Sequence, residues 1–307
     1  MPDLNSIAFH EGEFRPLREC TINIMTHALQ YGTMVFGGIR GYYNSKKDNV
    51  FLFRPYDHFK RLHNSAKIMQ MKPKYSIEEM VNILKELTIR NQYKSNIYFR
   101  PFIYKSALRL SPSLHDVEDS FSVYSLLLDD YLDTNRGLRV MISSWRRIDD
   151  NIIPTRAKVS GGYANSALAK SEALQNGFDE AIFLDHRGYV SEGSAENIFI
   201  VRDGVLSTPP NHSAILEGIT RRSVLEIARR EHIPVEIRDI SRSELYIADE
   251  VFFTGTGAQV AWIAEIDRRV IGNGEIGPIT KLLKEKYEKI VYGEDPEYSH
   301  WVVPVYG

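Results

Sequence analysis

Four short apolar runs stand close together at residues 181–184, 189–190, 197–201 and 205–206. They are divided by the turn sequences Asp185-His186-Arg187-Gly188 and Arg202-Asp203-Gly204. Runs this short, punctuated by Asp and Gly, read as antiparallel hairpins. Helical patterns lie on either side, and that mixture limits the fold. Residues 58–68 carry Phe59, Leu62, Ala66 and Met69 at three- and four-residue spacing. Residues 77–91 repeat the spacing through Met80, Val81, Leu84 and Leu87. A helix over 163–176 ends at Gly177, and an amphipathic one over 219–231 runs through Ile219, Val224, Ile227 and Ala228. A last helix covers 278–290, while 22–24, 51–53, 97–104, 120–128, 138–143 and 251–254 read as strands. The pattern predicts an α+β fold, not a doubly wound parallel sheet.

At 307 residues the chain has length for two compact domains. Residues 129–137 are polar and rich in turn formers. The expectation is a small N-terminal α/β domain over 1–129, a linker over 130–137 and a large C-terminal domain over 138–307. A net charge of −2 gives no electrostatic reason for nucleic acid or an anionic membrane as partner. Cys20 is the only cysteine, so neither an intramolecular disulfide nor a cysteine metal cluster can form. That usage fits a reducing compartment. Met1-Pro2-Asp3-Leu4-Asn5 lacks the basic-then-apolar pattern of a signal peptide, and no apolar run approaches the roughly 20 residues of a membrane helix. A cytoplasmic globular protein is expected.

Four clusters could carry chemistry. Lys158 lies in Ile153-Pro154-Thr155-Arg156-Ala157-Lys158-Val159-Ser160-Gly161-Gly162. A loop lysine is ordinarily a surface charge; to attack an aldehyde it needs a partly buried site and a nearby cation, for which Arg156 is the candidate. The second cluster, Ser191-Glu192-Gly193-Ser194-Ala195-Glu196-Asn197, is expected as a loop at a sheet edge. Its acids are either solvated turn residues, or one of them holds a protonated cofactor nitrogen. Gly218-Ile219-Thr220-Arg221 opens a helix, either as a simple cap or as an anion site. Thr254-Gly255-Thr256-Gly257-Ala258 follows a strand, and its glycines permit close backbone approach to an anion. Arg61, Arg40 and Arg100 read in isolation as surface ion pairs. His63 has no second ligand at metal spacing, so no metal is expected.

These clusters, in this order, resemble the fold-type IV pyridoxal-phosphate enzymes of aminotransferase class IV, the D-amino-acid-aminotransferase-like fold. Within them the chain is most similar to the branched-chain amino-acid aminotransferases. The likeness runs through Thr26-His27-Ala28-Leu29-Gln30-Tyr31-Gly32, Arg61-Leu62-His63-Asn64-Ser65-Ala66-Lys67, Tyr98-Phe99-Arg100-Pro101 and Ser143-Ser144-Trp145-Arg146-Arg147. It continues through Ile153-Pro154-Thr155, Lys158, Ser191-Glu192-Gly193, Glu196-Asn197, Gly218-Ile219-Thr220-Arg221 and Ala248-Asp249-Glu250-Val251-Phe252. The resemblance implies a branched-chain-amino-acid transaminase with pyridoxal 5'-phosphate as cofactor, at least a homodimer, taking amino acids and 2-oxo acids.

It also implies roles. Lys158 would bind the cofactor covalently and move the α-proton. Glu192 would pair with the ring nitrogen, and Tyr163 with the phenolic oxygen. Arg61, Thr256 and the backbone at Ile219 and Thr220 would hold phosphate. Tyr98 and the N–H groups of Gly257 and Ala258 would hold the substrate carboxylate. Phe36, Tyr31 and Tyr131 would line the side-chain pocket, with Arg100 at its rim and Arg40 nearby. The family usually reads Phe-Glu-Gly-Ile-Arg where this chain has Phe36-Gly37-Gly38-Ile39-Arg40. The missing acid is expected to leave Arg40 without a partner and to widen the substrate range toward (R)-amines. D-amino-acid and (R)-amine transaminases and aminodeoxychorismate lyase share the fold and remain the alternative readings.

Overall fold

The computed structural model describes residues 3–128 and 136–307. Tyr131 and most of the expected linker fall outside them. The chain divides into two compact units. The first comprises Met1–Asp129, Ala157–Gly161 and Lys289–Gly307; the second comprises Asp130–Arg156 and Gly162–Glu288.

In the first unit, β1 (Ile7–His10) and β2 (Glu13–Pro16) lead to the short helix α1 (His27–Tyr31). Strands β3 (Met34–Phe36), β4 (Ile39–Asn44) and β5 (Asn49–Phe53) follow, then α2 (Pro55–Ile68) and α3 (Ile77–Arg90). Long strands β6 (Ile97–Lys105) and β7 (Asp119–Leu127) complete the run. Proline at the first position opens α2, and Ser76 and Glu79 form a reciprocal capping box on α3. The expected apolar stripes of the two helices are buried: Phe59, Leu62 and Ala66 on one, Met80, Val81, Leu84 and Leu87 on the other. Each fully buried large side chain contributes about 1.5–3 kcal/mol.

The sheet is antiparallel throughout, and β3 and β4 share one register on β6. Met34 faces Tyr104, Phe36 faces Phe102, Ile39 faces Phe99 and Arg40 faces Tyr98. The ladder breaks only at Gly37-Gly38. There Gly37 N–H donates to the Pro101 carbonyl at 2.7 Å, and proline has no N–H to return the bond. By alternation Phe36, Gly38 and Arg40 share a sheet face with Tyr98, Arg100 and Phe102, while Gly37 and Pro101 lie on the other.

Residues 22–24, expected as a strand, form none. Asn23 Oδ1 accepts the Met25 N–H at 2.9 Å and the Asn23 carbonyl accepts the Thr26 N–H at 2.9 Å, so a local turn replaces the ladder. Ile24 is left 79% exposed.

The second unit begins with β8 (Leu138–Ile142), α4 (Tyr163–Gln175) and β9 (Glu180–Leu184). Strands β8 and β9 are parallel, joined by the helix, which buries Ala169 and Ala173 with Phe178, Ala181 and Phe183. Next come β10 (Val190–Gly193), β11 (Asn197–Arg202), β12 (Val205–Thr208), α5 (Ile219–Arg230) and β13 (Val235–Ile237). Then β14 (Glu250–Gly255), β15 (Gln259–Ile266), β16 (Arg269–Val270) and α6 (Pro278–Val291) follow. The strand order is β10-β9-β8-β15-β14-β11-β12-β13, with β16 on β15. Both expected hairpins form: β9 pairs β10 and β11 pairs β12, each antiparallel. At the second turn Asp203 (φ 51°) and Gly204 (φ 76°) supply the paired positive φ of a tight hairpin. Val251 and Phe253 on β14 pack with Ile198 and Ile200 on β11 in the main core. Buried Glu250 receives the Ile279 and Thr280 N–H groups at 3.1 and 2.7 Å and the Thr280 hydroxyl at 2.6 Å, which caps α6.

The division differs from the expected boundaries in two places. Residues 157–161 join the first unit because Val159 bridges Val35. The C-terminal residues join it because β17 (Val302–Pro304) pairs antiparallel with β5. No helix among the described residues is long and apolar enough to cross a membrane.

Candidate active site

Lys158 is fixed by its backbone. Its N–H donates to Ser65 Oγ of α2 at 3.2 Å, and its carbonyl accepts the Phe36 N–H at 3.0 Å. Two residues on, Ser160 Oγ and Gly161 N–H both donate to the Gly32 carbonyl, at 2.8 and 3.1 Å. A Cβ at Gly32, where φ is 65°, would fall 2.7 Å from Gly161 Cα, so backbone touches backbone and Gly32 needs to be glycine. The Lys158 ammonium nitrogen lies 5.2 Å from the Phe36 ring centroid. Arg156, expected as its cationic neighbour, turns instead to Glu217 at 3.2 Å and Asp150 at 3.8 Å, where two carboxylates answer its charge. The guanidinium that shares the Phe36 ring is Arg100, at 4.7 Å.

Arg100 donates to Tyr98 Oη at 2.9 Å, and its buried Nε has no hydrogen-bond partner among the described residues. Burial pushes the Tyr98 phenol above its ordinary value, against the lowering influence of Arg100 and Arg61. The phenol therefore keeps its proton, and with Arg100 filling an acceptor site that proton is available to an anion. Gly38 makes room for this pair: a Cβ there would come 2.3 Å from Tyr98 Oη. A Cβ at Gly37 would meet Pro101 Cγ at 3.0 Å, on the opposite sheet face. The missing family acid therefore does not open the Tyr98–Arg100 face. Arg40 is not left without a partner either. It is 1% exposed, donates to the Leu128 carbonyl at 2.6 Å and lies 5.1 Å from the Tyr42 ring centroid. Tyr31, on α1, packs its ring 4.8 Å from the buried His27.

In the second unit, Glu192 lies on a strand where a loop was expected. Val190 pairs Leu184 and Gly193 pairs Ile182, so the register slips by one residue at Ser191-Glu192. Such a bulge re-aims a side chain while the strand continues. Glu192 is 4% exposed. Its Oε1 is 2.8 Å from Arg147, and its Oε2 accepts from Asn197 Nδ2 at 2.9 Å and Leu216 N–H at 3.0 Å. Glu196 turns back locally, accepting the Ala195 N–H at 3.1 Å. Glu192 is built into a polar network with Arg147, Asn197 and Leu216. Arg221 adds positive potential toward Glu192; burial pushes its guanidinium down to about 10, still charged at neutral pH.

Two backbone turns of this unit suit an anion. Helix α5 starts after Gly218 with no side-chain cap, so Ile219 and Thr220 present N–H groups at the positive end of the helix. Thr256-Gly257-Ala258 is a three-residue hairpin turn between Gly255 and its partner Gln259. Next to it, Thr254 Oγ1 is buried without a hydrogen-bond partner among the described residues. Tyr163 opens α4. A buried, cation-backed carboxylate, an uncapped helix start and an orphaned hydroxyl beside a glycine turn are the parts that a phosphorylated pyridine ring would engage.

The model of amino-transferase class IV matches residues 35–266. The chain belongs to this class. It is 48% identical to the probable branched-chain-amino-acid aminotransferase of Aquifex aeolicus over 97% of this chain and 96% of that one. The branched-chain-amino-acid aminotransferase of Pseudomonas aeruginosa is 39% identical over 98% of both chains. The branched-chain aminotransferase of Thermoproteus uzoniensis, solved with norvaline, superposes with a TM-score of 0.94 at 41% identity, covering 98% of this chain and 99% of that one. The enzyme from Thermobaculum terrenum, solved in its PLP-form, gives 0.94 at 36% identity over 99% of both. Among class IV relatives the chain thus sits with the branched-chain enzymes, and the fold is fold type IV.

Within this class IV chain, Gly38, Ser65, Arg147 and Asn197 hold the expected residues in place, and sequence reasoning assigned them no role. Each stood inside a family motif. For Ser65 alone a local signal existed, since it follows Arg61 by one helical turn and its hydroxyl bonds the Arg61 carbonyl at 2.9 Å. Tyr131 lies outside the described residues.

Proposed function

We propose that the protein is a pyridoxal-phosphate-dependent branched-chain amino-acid aminotransferase, moving the amino group between leucine, isoleucine or valine and 2-oxoglutarate. The pinned backbone of Lys158, held at its N–H by Ser65 and at its carbonyl by Phe36, carries this reading most directly. A freely waving surface lysine would need neither bond.

When bound, pyridoxal phosphate supplies an electron-withdrawing ring that labilises the α-proton and carries the amino group from donor to acceptor. Lys158 Nζ would anchor the cofactor and would move the proton at the substrate α-carbon. Glu192 keeps the ring nitrogen protonated. Arg61, Thr256 and the N–H groups at Ile219 and Thr220 take the phosphate, and Tyr163 the phenolic oxygen. Tyr98, with the N–H groups of Gly257 and Ala258, binds the substrate carboxylate. Phe36 and Tyr31 would line the side-chain pocket, with Arg100 and Arg40 as its basic residues. These assignments rest on position in the family motifs together with the hydrogen bonds above.

A homodimer is supported by the exposed apolar side chains Ile24, Leu29, Leu108 and Leu110 on the first unit. Light scattering checks the oligomer. The single cysteine, which leaves no intramolecular disulfide to form, supports a cytoplasmic location. The activity is tested with leucine, isoleucine, valine, D-alanine and (R)-1-phenylethylamine as donors to 2-oxoglutarate. Highest kcat/KM on the branched-chain set is expected; highest on D-alanine or the amine, or a lyase reaction on aminodeoxychorismate, would replace the reading.

A further inference from the structure

We propose that Arg147 is a positioning residue that keeps Glu192 ionised and aimed, and so decides where the proton shared with the cofactor ring nitrogen resides. The inference rests on the reading that Glu192 faces that nitrogen. Arg147 is held from three sides. Its N–H donates to the Leu184 carbonyl at 2.9 Å, its Nη1 donates to Ser166 Oγ of α4 at 3.2 Å, and its guanidinium lies 5.4 Å from the Phe183 ring centroid. Nη2 reaches Glu192 Oε1 at 2.8 Å. The side chain is 10% exposed and its Nε is buried without a hydrogen-bond partner among the described residues. Such a burial gains little from the ion pair alone, since desolvating both charges offsets most of their attraction.

Two further contacts to Glu192, from Asn197 and the Leu216 N–H, are neutral. Arg147 brings a full positive charge into direct contact with the carboxylate, and Arg221 adds to it electrostatically. A carboxylate beside a guanidinium is a weaker base than the same carboxylate held by amides. A proton between Glu192 and a pyridine nitrogen rests on the stronger base. With Arg147 present it stays on the ring. Without Arg147 the buried carboxylate gains basicity and takes the proton, and the ring becomes a poorer electron sink.

The test reads the proton directly. Holoenzyme is prepared with cofactor labelled with 15N in the ring, for the parent, Arg147→Gln, Arg147→Met, Arg147→Lys and Glu192→Gln. The 15N shift and the rate of the leucine half-reaction are then measured. The parent and Arg147→Lys are expected at the pyridinium position. Arg147→Gln and Arg147→Met should move toward neutral pyridine, with the half-reaction slowed on the order of tenfold, as for other outer-shell partners. The two neutral variants differ in polarity, so one suffices if the other does not fold. A parent-like shift in a folded neutral variant, or a Lys variant behaving as Gln does, overturns the role of Arg147. If Glu192→Gln itself keeps the pyridinium shift, it is the Glu192 reading that fails.

Discussion

Replacing Gly38 by alanine probes the proposed carboxylate site with a single methyl group. The new Cβ would stand 2.3 Å from Tyr98 Oη, 2.9 Å from Cζ and 3.2 Å from Cε2. Ordinary contact begins near 3.5 Å, so the phenol must retreat by roughly 1 Å. Tyr98 is half-buried and Arg100 is stacked beside it, so the retreat breaks the 2.9 Å bond between them. Overpacking of this kind costs about 1–3 kcal/mol of stability. A misplaced donor to an anionic group costs about 1.5–3 kcal/mol of binding. At about 1.4 kcal/mol per decade, kcat/KM for leucine should fall on the order of 10- to 100-fold. Steady-state kinetics with leucine and 2-oxoglutarate measure it, and the visible absorbance of the bound cofactor serves as control for occupancy. Gly37→Ala is the companion variant. Its Cβ meets the Pro101 ring on the opposite face, so KM for leucine should hold within about twofold while stability drops by under about 1 kcal/mol. Unchanged KM in Gly38→Ala, or the larger KM effect in Gly37→Ala, would refute the assignment of faces.

Lys158→Ala should abolish turnover and leave no borohydride-stable cofactor adduct on the protein by mass spectrometry; an adduct that persists removes Lys158 from its role. Glu250→Ala leaves the Ile279 and Thr280 donors at the start of α6 without their acceptor, and a loss of about 2–4 kcal/mol in urea unfolding is expected. Asp179 is held below its ordinary value by its hydrogen bonds with Arg136, so its stabilising effect is complete above an unfolded value near 3.8 and is lost as pH falls through the lower folded one. Asp179→Asn should flatten that acid limb in thermal melts; an acid limb of unchanged slope would show that the pair contributes nothing.

Local chemistry made much of the fold readable. The stripes of α2, α3 and α5 and the Asp203-Gly204 turn stand in the sequence because each depends on neighbours within a few residues. Pairings between distant segments leave no such trace. Val35 with Val159, and β17 with β5, join residues more than a hundred positions apart, and nothing in either strand names its partner. At the site, Lys158 and Glu192 were legible through their motifs. The bulge that aims Glu192 was not, because a one-residue slip depends on the facing strand. Arg156 misled for a similar reason: proximity in sequence to Lys158 said nothing of Glu217, 61 residues on, which claims it. Residues 22–24 look like a strand until Asn23 is considered as a turn former.

The segment Ala157–Gly161 is a five-residue excursion into the first unit from a stretch of chain that otherwise builds the second. For chimera design this means that Lys158 does not travel with the polypeptide around it. A hybrid cut near residue 130 would carry Lys158 on the incoming C-terminal piece, yet ask it to dock on Val35, Phe36, Gly32 and Ser65 of another parent. Exchangeable cassettes in this architecture are therefore discontinuous, and recombination between relatives should succeed when 157–161 and the C-terminal strand are inherited together with the N-terminal residues.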